Sequence, residues 1–408
     1  MANFFQKLPG YWAYFSRSEK IWRLPVKSEV LIYGLGNRDY LLYYLEKYDA
    51  EILAMRGEQI NVWVALLSLF EPGPRRQAYV DKYIAMVGPR LIITFLDNNY
   101  EFYSISRRHP QVKTMFLQNG RRGFDIDVFG RLSEAADKNR DALKVDYMMT
   151  FGSNVANEYS RYIEGRAIAM GSLKCNMVPR SKSTVPGVIA YVSQFRDIKG
   201  QLVKGNYRTH EEIFGQVEKS IVPFLFSYAR SHEKQLVIIT SVRSKNSNII
   251  SKEQQHYNEL VGAELSYTDE ENCYDAADAA EVVVAVDSTV GVESIGRGNK
   301  TAIFSIRGTL LDIKGQDFGW PRSYPAEGPF WTNNPDSSSY ERILDHLFEL
   351  NDEAWQKELS EYSSEAQMLF DPGNTIFLET LEAELGHNKA IKESAEVTLP
   401  KKEFHSVQ

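Results

Sequence analysis

Residues 281–304 read EVVVAVDSTVGVESIGRGNKTAIF, and this stretch decides the fold. The run Val282–Val286 is apolar and rich in β-branched side chains. It stops at Asp287, Ser288 and Thr289, and a second apolar run begins after Gly298. A short continuous apolar run bounded by turn residues fits a strand covered on both faces, as in a parallel sheet. Ser288 and Thr289 fit the start of a helix that carries the chain back to the second strand.

The same design recurs in both directions. Upstream, EVLIYGLGN, EILAMRG, RLIITFLDNN, VKTMFLQNG, VDYMMTFGS and AIAMGS are apolar runs ending in polar or glycine-bearing loops, with helical segments such as RRQAYVDKYIAMV between them. A break at KCNMVPRSKSTVPG, residues 174–187, has no periodicity. The pattern restarts with VIAYVSQFRD and QLVIITSVRSK. Alternation of this kind predicts an α/β protein of two Rossmann-like domains separated by a cleft, with C-terminal helices. The expected division is 1–178, then 187–386 including the C-terminal helices, then a loose tail over 387–408.

Composition narrows the function. The 408 residues are 43% hydrophobic and 25% charged, with a net charge of −7, which disfavours a protein built to grip nucleic acid. Cys175 and Cys273 have neither metal-site nor CxxC spacing, and His109 and His210 lack ligand spacing. The start, MANFFQKLPGYWAYF, has no signal-peptide pattern, and no run of 18 apolar residues occurs, so a cytoplasmic protein is expected. The aromatic start is compatible with peripheral contact at the cytoplasmic face of the membrane, or with packing on the first domain.

Ligands bind outside the carboxyl ends of strands in open α/β sheets. In the second domain those ends supply Ser193 and Arg196, then Arg243, then Ser288 and Thr289. A helix starting near Thr289 aims free N–H groups and its positive end at whatever lies above the strand. The hydroxyls and Gly291 permit close approach of an anionic oxygen, which Arg196 and Arg243 can neutralise. Glu293, on the first turn, can accept from two neighbouring sugar hydroxyls. Phosphate beside ribose is a nucleotide. Taken alone, DST and the following Glu also fit ordinary helix capping; the arginines at neighbouring strand ends favour the nucleotide.

The segment DSTVGVESIGRGNKTAIFSI resembles the donor site of GT-B glycosyltransferases, especially bacterial capsule and lipopolysaccharide transferases that use CMP-activated ulosonic acids. Over about residues 28–360 the chain resembles bacterial surface carbohydrate biosynthesis proteins, through IYGLGNRDYLLYYL, ITFLDNNYEFYSISRRHP, FLQNGRRG, FGSNVANEY and FGWP…GPFWTN. Where the capsule transferases carry His-Pro after the second donor-domain strand, this chain reads TSVRSK, which gives that place to Arg243. The resemblance implies transfer of a sugar from a nucleotide sugar, CMP-linked, to a glycan or lipid-linked glycan. A sugar-nucleotide epimerase or hydrolase, or a non-catalytic nucleotide-sugar binder, are the alternatives on the same scaffold.

The first domain would then hold the acceptor and the carboxylate chemistry. Asp97, at the end of a strongly apolar run, is the first candidate, followed by Asp125 and Glu158. Each also fits a turn or cap acid. No cofactor and no metal are expected, since the donor domain has arginines at its strand ends and no Asp-x-Asp. The one such motif, Asp125–Asp127, lies in the other half.

Overall fold

The computed structural model describes residues 16–125, 127–180, 183–240, 247–268 and 272–386. The tail 387–408 and the aromatic start lie outside the described residues.

The first sheet has six strands: β1 Val30–Tyr33, β2 Ala50–Leu53, β3 Leu91–Thr94, β4 Lys113–Leu117, β5 Lys144–Thr150 and β6 Glu164–Ala169, in the order β2-β1-β3-β4-β5-β6. Every pairing is parallel. The alternation of side chains along a strand explains why the runs are apolar without interruption. Leu31, Tyr33, Ile92 and Phe116 enter a core on one face, while Val30, Ile32, Leu91, Ile93 and Met115 enter another. Both faces are covered, so both register positions are mostly apolar, and the buried polar exceptions are hydrogen-bonded: Thr94 Oγ1 donates to the Tyr33 carbonyl at 2.5 Å.

The second sheet comprises β7 Val185–Val192, β8 Gln235–Ile239, β9 Ser266–Tyr267, β10 Ala280–Ala285, β11 Thr301–Phe304 and β12 Trp331–Thr332. Its order is β9-β8-β7-β10-β11-β12, again all parallel. Strand order reverses at β1/β3 in the first sheet and at β7/β10 in the second, and a crevice opens outside the carboxyl ends of each pair. The α/β arrangement of two parallel-sheet domains with C-terminal helices is the one expected from the sequence.

The C-terminal helices divide between the domains, which corrects the expectation that 187–386 is one unit. Ser337–Glu349 buries Tyr340, Ile343, Leu344 and Leu347 in the second core. The last helix, Thr375–Leu385, places Phe377, Leu381 and Leu385 against Val30, Ile32, Leu91 and Ile93 of the first sheet. Arg90 donates to the carbonyl of Leu385 at 3.1 Å and holds that helix by its end. The chain therefore crosses between domains twice, and the crossings run side by side. Buried Asn176 donates to Asn374 Oδ1 at 3.0 Å, and Asn374 donates to the Leu173 carbonyl at 3.0 Å. No helix among the described residues is long and apolar enough to cross a membrane.

The first crossing is pinned by Arg297. Its guanidinium pairs with Asp278, both side chains fully buried, and donates to the carbonyls of Val178 at 2.8 Å and Pro179 at 3.1 Å. Removing one partner of a buried pair strands the other charge. Arg297→Ala is expected to lower stability by about 3–5 kcal/mol in urea unfolding. A loss of a few tenths would show that the pair is solvated in the native state.

Candidate functional site

The carboxyl ends of the two sheets face each other across the cleft, around a cavity of about 40 Å³. Gln118, Arg121, Arg122 and Asn154 line it from the first domain, and Asp287, Ser288 and Trp320 from the second.

On the second-domain side β10 runs into the helix Thr289–Gly296. Ser288 is extended and its side chain accepts from Val290 N at 3.3 Å, a standard helix start. Thr289 Oγ1 accepts from Arg121 N at 3.1 Å, across the cleft. Gly291 does not face the cavity. A Cβ there would lie 2.4 Å from Ala285 Cβ, so the glycine lets the helix lie down on the strand that precedes it. Gly291→Ala is expected to cost about 1–3 kcal/mol by overpacking, measured as a shift in the urea midpoint. An unchanged midpoint would mean that helix and strand separate freely.

Asp287 is engaged by Arg307, which donates to both carboxylate oxygens at 2.6 Å and also to Gln194 Oε1 at 3.2 Å. Arg121 is different. Its NH2 group donates to the Gln316 and Asp317 carbonyls, each at 2.7 Å, and no carboxylate lies within ion-pair distance among the described residues. Burial lowers its pKa, and Asp287 and Asp317 offset part of that. It remains charged at neutral pH. Among the described residues the guanidinium thus bonds only to carbonyls, and Arg121 shares the cavity lining with Ser288 at the start of the helix.

Asp97 falls at the carboxyl end of β3, as expected, but not as an available base. Its side chain is 0% exposed. Arg122 grips both carboxylate oxygens, with Nε donating to Oδ2 at 2.7 Å, and Tyr159 OH donates to Oδ2 at 3.0 Å. Asn119 N donates to Oδ1 at 3.4 Å. Burial works against the Arg122 charge, yet Asp97 outweighs it and holds the guanidinium well above its ordinary pKa. Asp97 is a positioning residue for Arg122, which reaches the cavity itself.

The other two acids are also engaged. Asp125 ties the domains together, accepting from Lys314 N at 2.9 Å and pairing with Lys204 at 3.1 Å. Glu158 is buried between Arg161 at 2.9 Å and Tyr162 OH at 3.0 Å, on the helix Ser153–Ser160. Asp127 turns back to Gly123 N at 3.0 Å, so the two acids of the Asp-x-Asp motif serve separate partners. Among the described residues no cluster of three or more His, Cys, Asp or Glu is placed to hold a metal.

In the second domain, Ser193 lies at the end of β7 but is buried in a polar web with Glu253 and Tyr257, whose OH is 2.8 Å away. Arg196 is exposed on the loop after β7. Arg243 lies outside the described residues. Glu293 is 2% exposed and is not in the lining of this cavity; it lies beside Tyr274, whose phenol is raised well above its ordinary pKa by burial and then by that carboxylate. Glu293→Gln is expected to leave nucleotide affinity within about twofold, because the group is buried outside the lining of the cavity. A tenfold loss in titration calorimetry would restore the ribose contact.

Sequence reasoning therefore brought Ser288 and Thr289 to the cleft and singled out the first-domain loop QNGRRG, which carries Arg121 and Arg122, but it missed Asn154 and Trp320 as lining. Asn154 Nδ2 is buried without a partner among the described residues, a donor open to a bound oxygen.

A family model described as "putative O-antigen biosynthesis protein" matches residues 115–385, and the chain belongs to that family. No curated protein matches the sequence. Among solved structures, the UDP-GlcNAc 2-epimerase from Neisseria meningitidis bound to UDP-GlcNAc is 11% identical, with 87% of this chain and 99% of that one covered and a TM-score of 0.49. A glycosyltransferase from Rickettsia africae is 10% identical over 88% and 90%, TM-score 0.48. The wall teichoic acid polymerase TagF is 11% identical over 88% and 90%, TM-score 0.47. Likenesses at this level add nothing to the topology read from the backbone hydrogen bonds, and nothing about chemistry.

Proposed function

We propose that the protein is a GT-B type glycosyltransferase of surface-polysaccharide synthesis, which takes a nucleotide sugar into the interdomain cleft. The sugar passes to a glycan or lipid-linked glycan. The observation that carries this reading is the Arg121 guanidinium, bonded only to carbonyls beside the start of the helix Thr289–Gly296. Two positive features side by side are completed by an anion, and a donor phosphate supplies one. Ser288 and Thr289 offer hydroxyls to the same oxygen atoms.

In transfer, the acceptor hydroxyl oxygen bonds to the anomeric carbon as the bond from that carbon to the phosphate oxygen breaks. The electron pair stays on the phosphate, where Arg121 and the helix stabilise the growing charge, and the acceptor proton leaves to a base or to water. This division of labour requires no metal. CMP-linked ulosonic acids are the donor class that the segment after β10 suggests. A nucleotide sugar needs a pocket of several hundred Å³, more than this cavity of about 40 Å³ holds, so donor binding on this reading widens the cleft.

A thermal-shift panel of CMP, CDP, UDP, GDP and TDP tests the reading. One nucleotide at a hundred times its Kd is expected to add about 2.7 kcal/mol of stability, with transfer unaffected by EDTA. No shift with any nucleotide would overturn it. Metal-restored activity after chelation would replace the metal-free mechanism, and turnover of the nucleotide sugar without acceptor would replace transfer by epimerisation or hydrolysis.

A further inference from the structure

One face of the first domain is apolar where it should be polar. The helix Val62–Ser68 turns Val62, Val64 and Ser68 into the domain, whereas Trp63, Leu66, Leu67 and Phe70 are exposed. Their spacing of three, four and seven residues puts them on one side of the helix and its continuation. Phe70 is 88% exposed. The patch extends onto the adjoining segment, where Trp22 is 64% exposed and Leu24 and Val26 are also open. The two pieces are joined: strand Glu19–Ile21 pairs with Gln59–Asn61, and Trp63 Nε1 donates to the Trp22 carbonyl at 2.7 Å. Singly exposed apolar residues are ordinary, but a contiguous patch marks an interaction surface.

Charge identifies the occupant. Residues 16–27 carry Arg17, Lys20, Arg23 and Lys27 against Glu19, and residues 54–76 carry Arg56, Arg75 and Arg76 against Glu58 and Glu71. Arg23 pairs with Glu51 and Arg76 with Glu101, and with those two carboxylates counted the seven basic groups face five acidic ones, a surplus of +2 on a chain of net −7. Arg17, Lys27 and Arg56 are exposed and have no ion pair among the described residues. Arg75 donates to the Leu69 carbonyl at 2.9 Å, within the patch. Exposed aromatic and aliphatic side chains on segments that also carry unpaired cations match the interface of an anionic bilayer: rings at headgroup depth, cations on the phosphates. The fifteen residues preceding Ser16, MANFFQKLPGYWAYF, join the chain at this same face.

We propose that this face, centred on Trp63, Leu66 and Phe70, docks the protein on an anionic lipid surface. The inference is independent of the reaction assigned to the cleft. The test is flotation of the full-length protein with vesicles of phosphatidylcholine alone or with phosphatidylglycerol. Binding is expected to be at least about tenfold stronger with phosphatidylglycerol and to weaken with salt. The triple variant Trp63→Ser, Leu66→Ser, Phe70→Ser should lose at least about tenfold while keeping wild-type circular dichroism and nucleotide binding, since all three side chains face solvent. Three results would overturn the proposal. They are no binding to either vesicle, undiminished binding by the triple variant, and a wild-type dimer in light scattering that the variant converts to monomer, which makes the patch a contact between copies.

Discussion

Asp97→Asn is expected to lower the stability of the protein by about 3–5 kcal/mol. The carboxylate is fully buried, and Arg122, Tyr159 and Asn119 N all donate to it. Asparagine keeps one acceptor oxygen but removes the charge, leaving the largely buried Arg122 guanidinium with only the more distant Asp127 carboxylate, at 3.7 Å, opposite it. Urea unfolding checks the size, and the double variant Asp97→Asn, Arg122→Met isolates the pair. If the pair is the cause, the double variant recovers part of the loss, because no stranded charge remains. Activity should fall in the single variant through displacement of Arg122 from the cavity. Unchanged stability together with abolished transfer would return Asp97 to the reacting centre.

Arg121→Met should weaken nucleotide binding by about 1.5–3 kcal/mol, or roughly ten- to a hundredfold in Kd. The native guanidinium has carbonyl partners but no carboxylate, so the folded protein loses little when it goes. The ligand loses a charge-assisted contact. Calorimetric titration should show this loss with the salt dependence of binding reduced, while the melting temperature of the unliganded protein stays within a few degrees. Arg196→Ala, at an exposed position, is the control and should change Kd less than about threefold. Equal losses at both positions would place the phosphate on the loop after β7 and remove Arg121 from the site.

Much of this architecture is legible in the sequence because parallel strands are buried twice over. VLIY at 30–33 and LIIT at 91–94 are fully buried, with Thr94 at the end of the second the one hydroxyl residue besides Tyr33. The end of β10 is legible for a similar reason: a hydroxyl after an apolar run caps a helix, and Ser288 does so. Glu293 could have been placed correctly from helix geometry. Five residues at about 100° each carry it roughly 140° around the axis from Ser288, off the cleft side. The two arginines of QNGRRG were harder to place. Their role comes from docking that loop onto Thr289 and onto Gln316 and Asp317 of the other domain, and no periodicity encodes which loops will meet. The spacing of Phe377, Leu381 and Leu385 announces an amphipathic helix but not the sheet it covers.

The return of that last helix to the first sheet inverts the usual order of events during synthesis. Domains ordinarily fold as they leave the ribosome, amino-terminal unit first. Here Val30, Ile32, Leu91 and Ile93 wait for side chains that are translated more than 280 residues after Ile93. The second sheet and its helices lie between, contiguous in the message, and can close before the first core is finished. A chain released short of residue 375 would present a completed second domain attached to a first domain with one flank bare, a species for chaperones to hold and proteases to find.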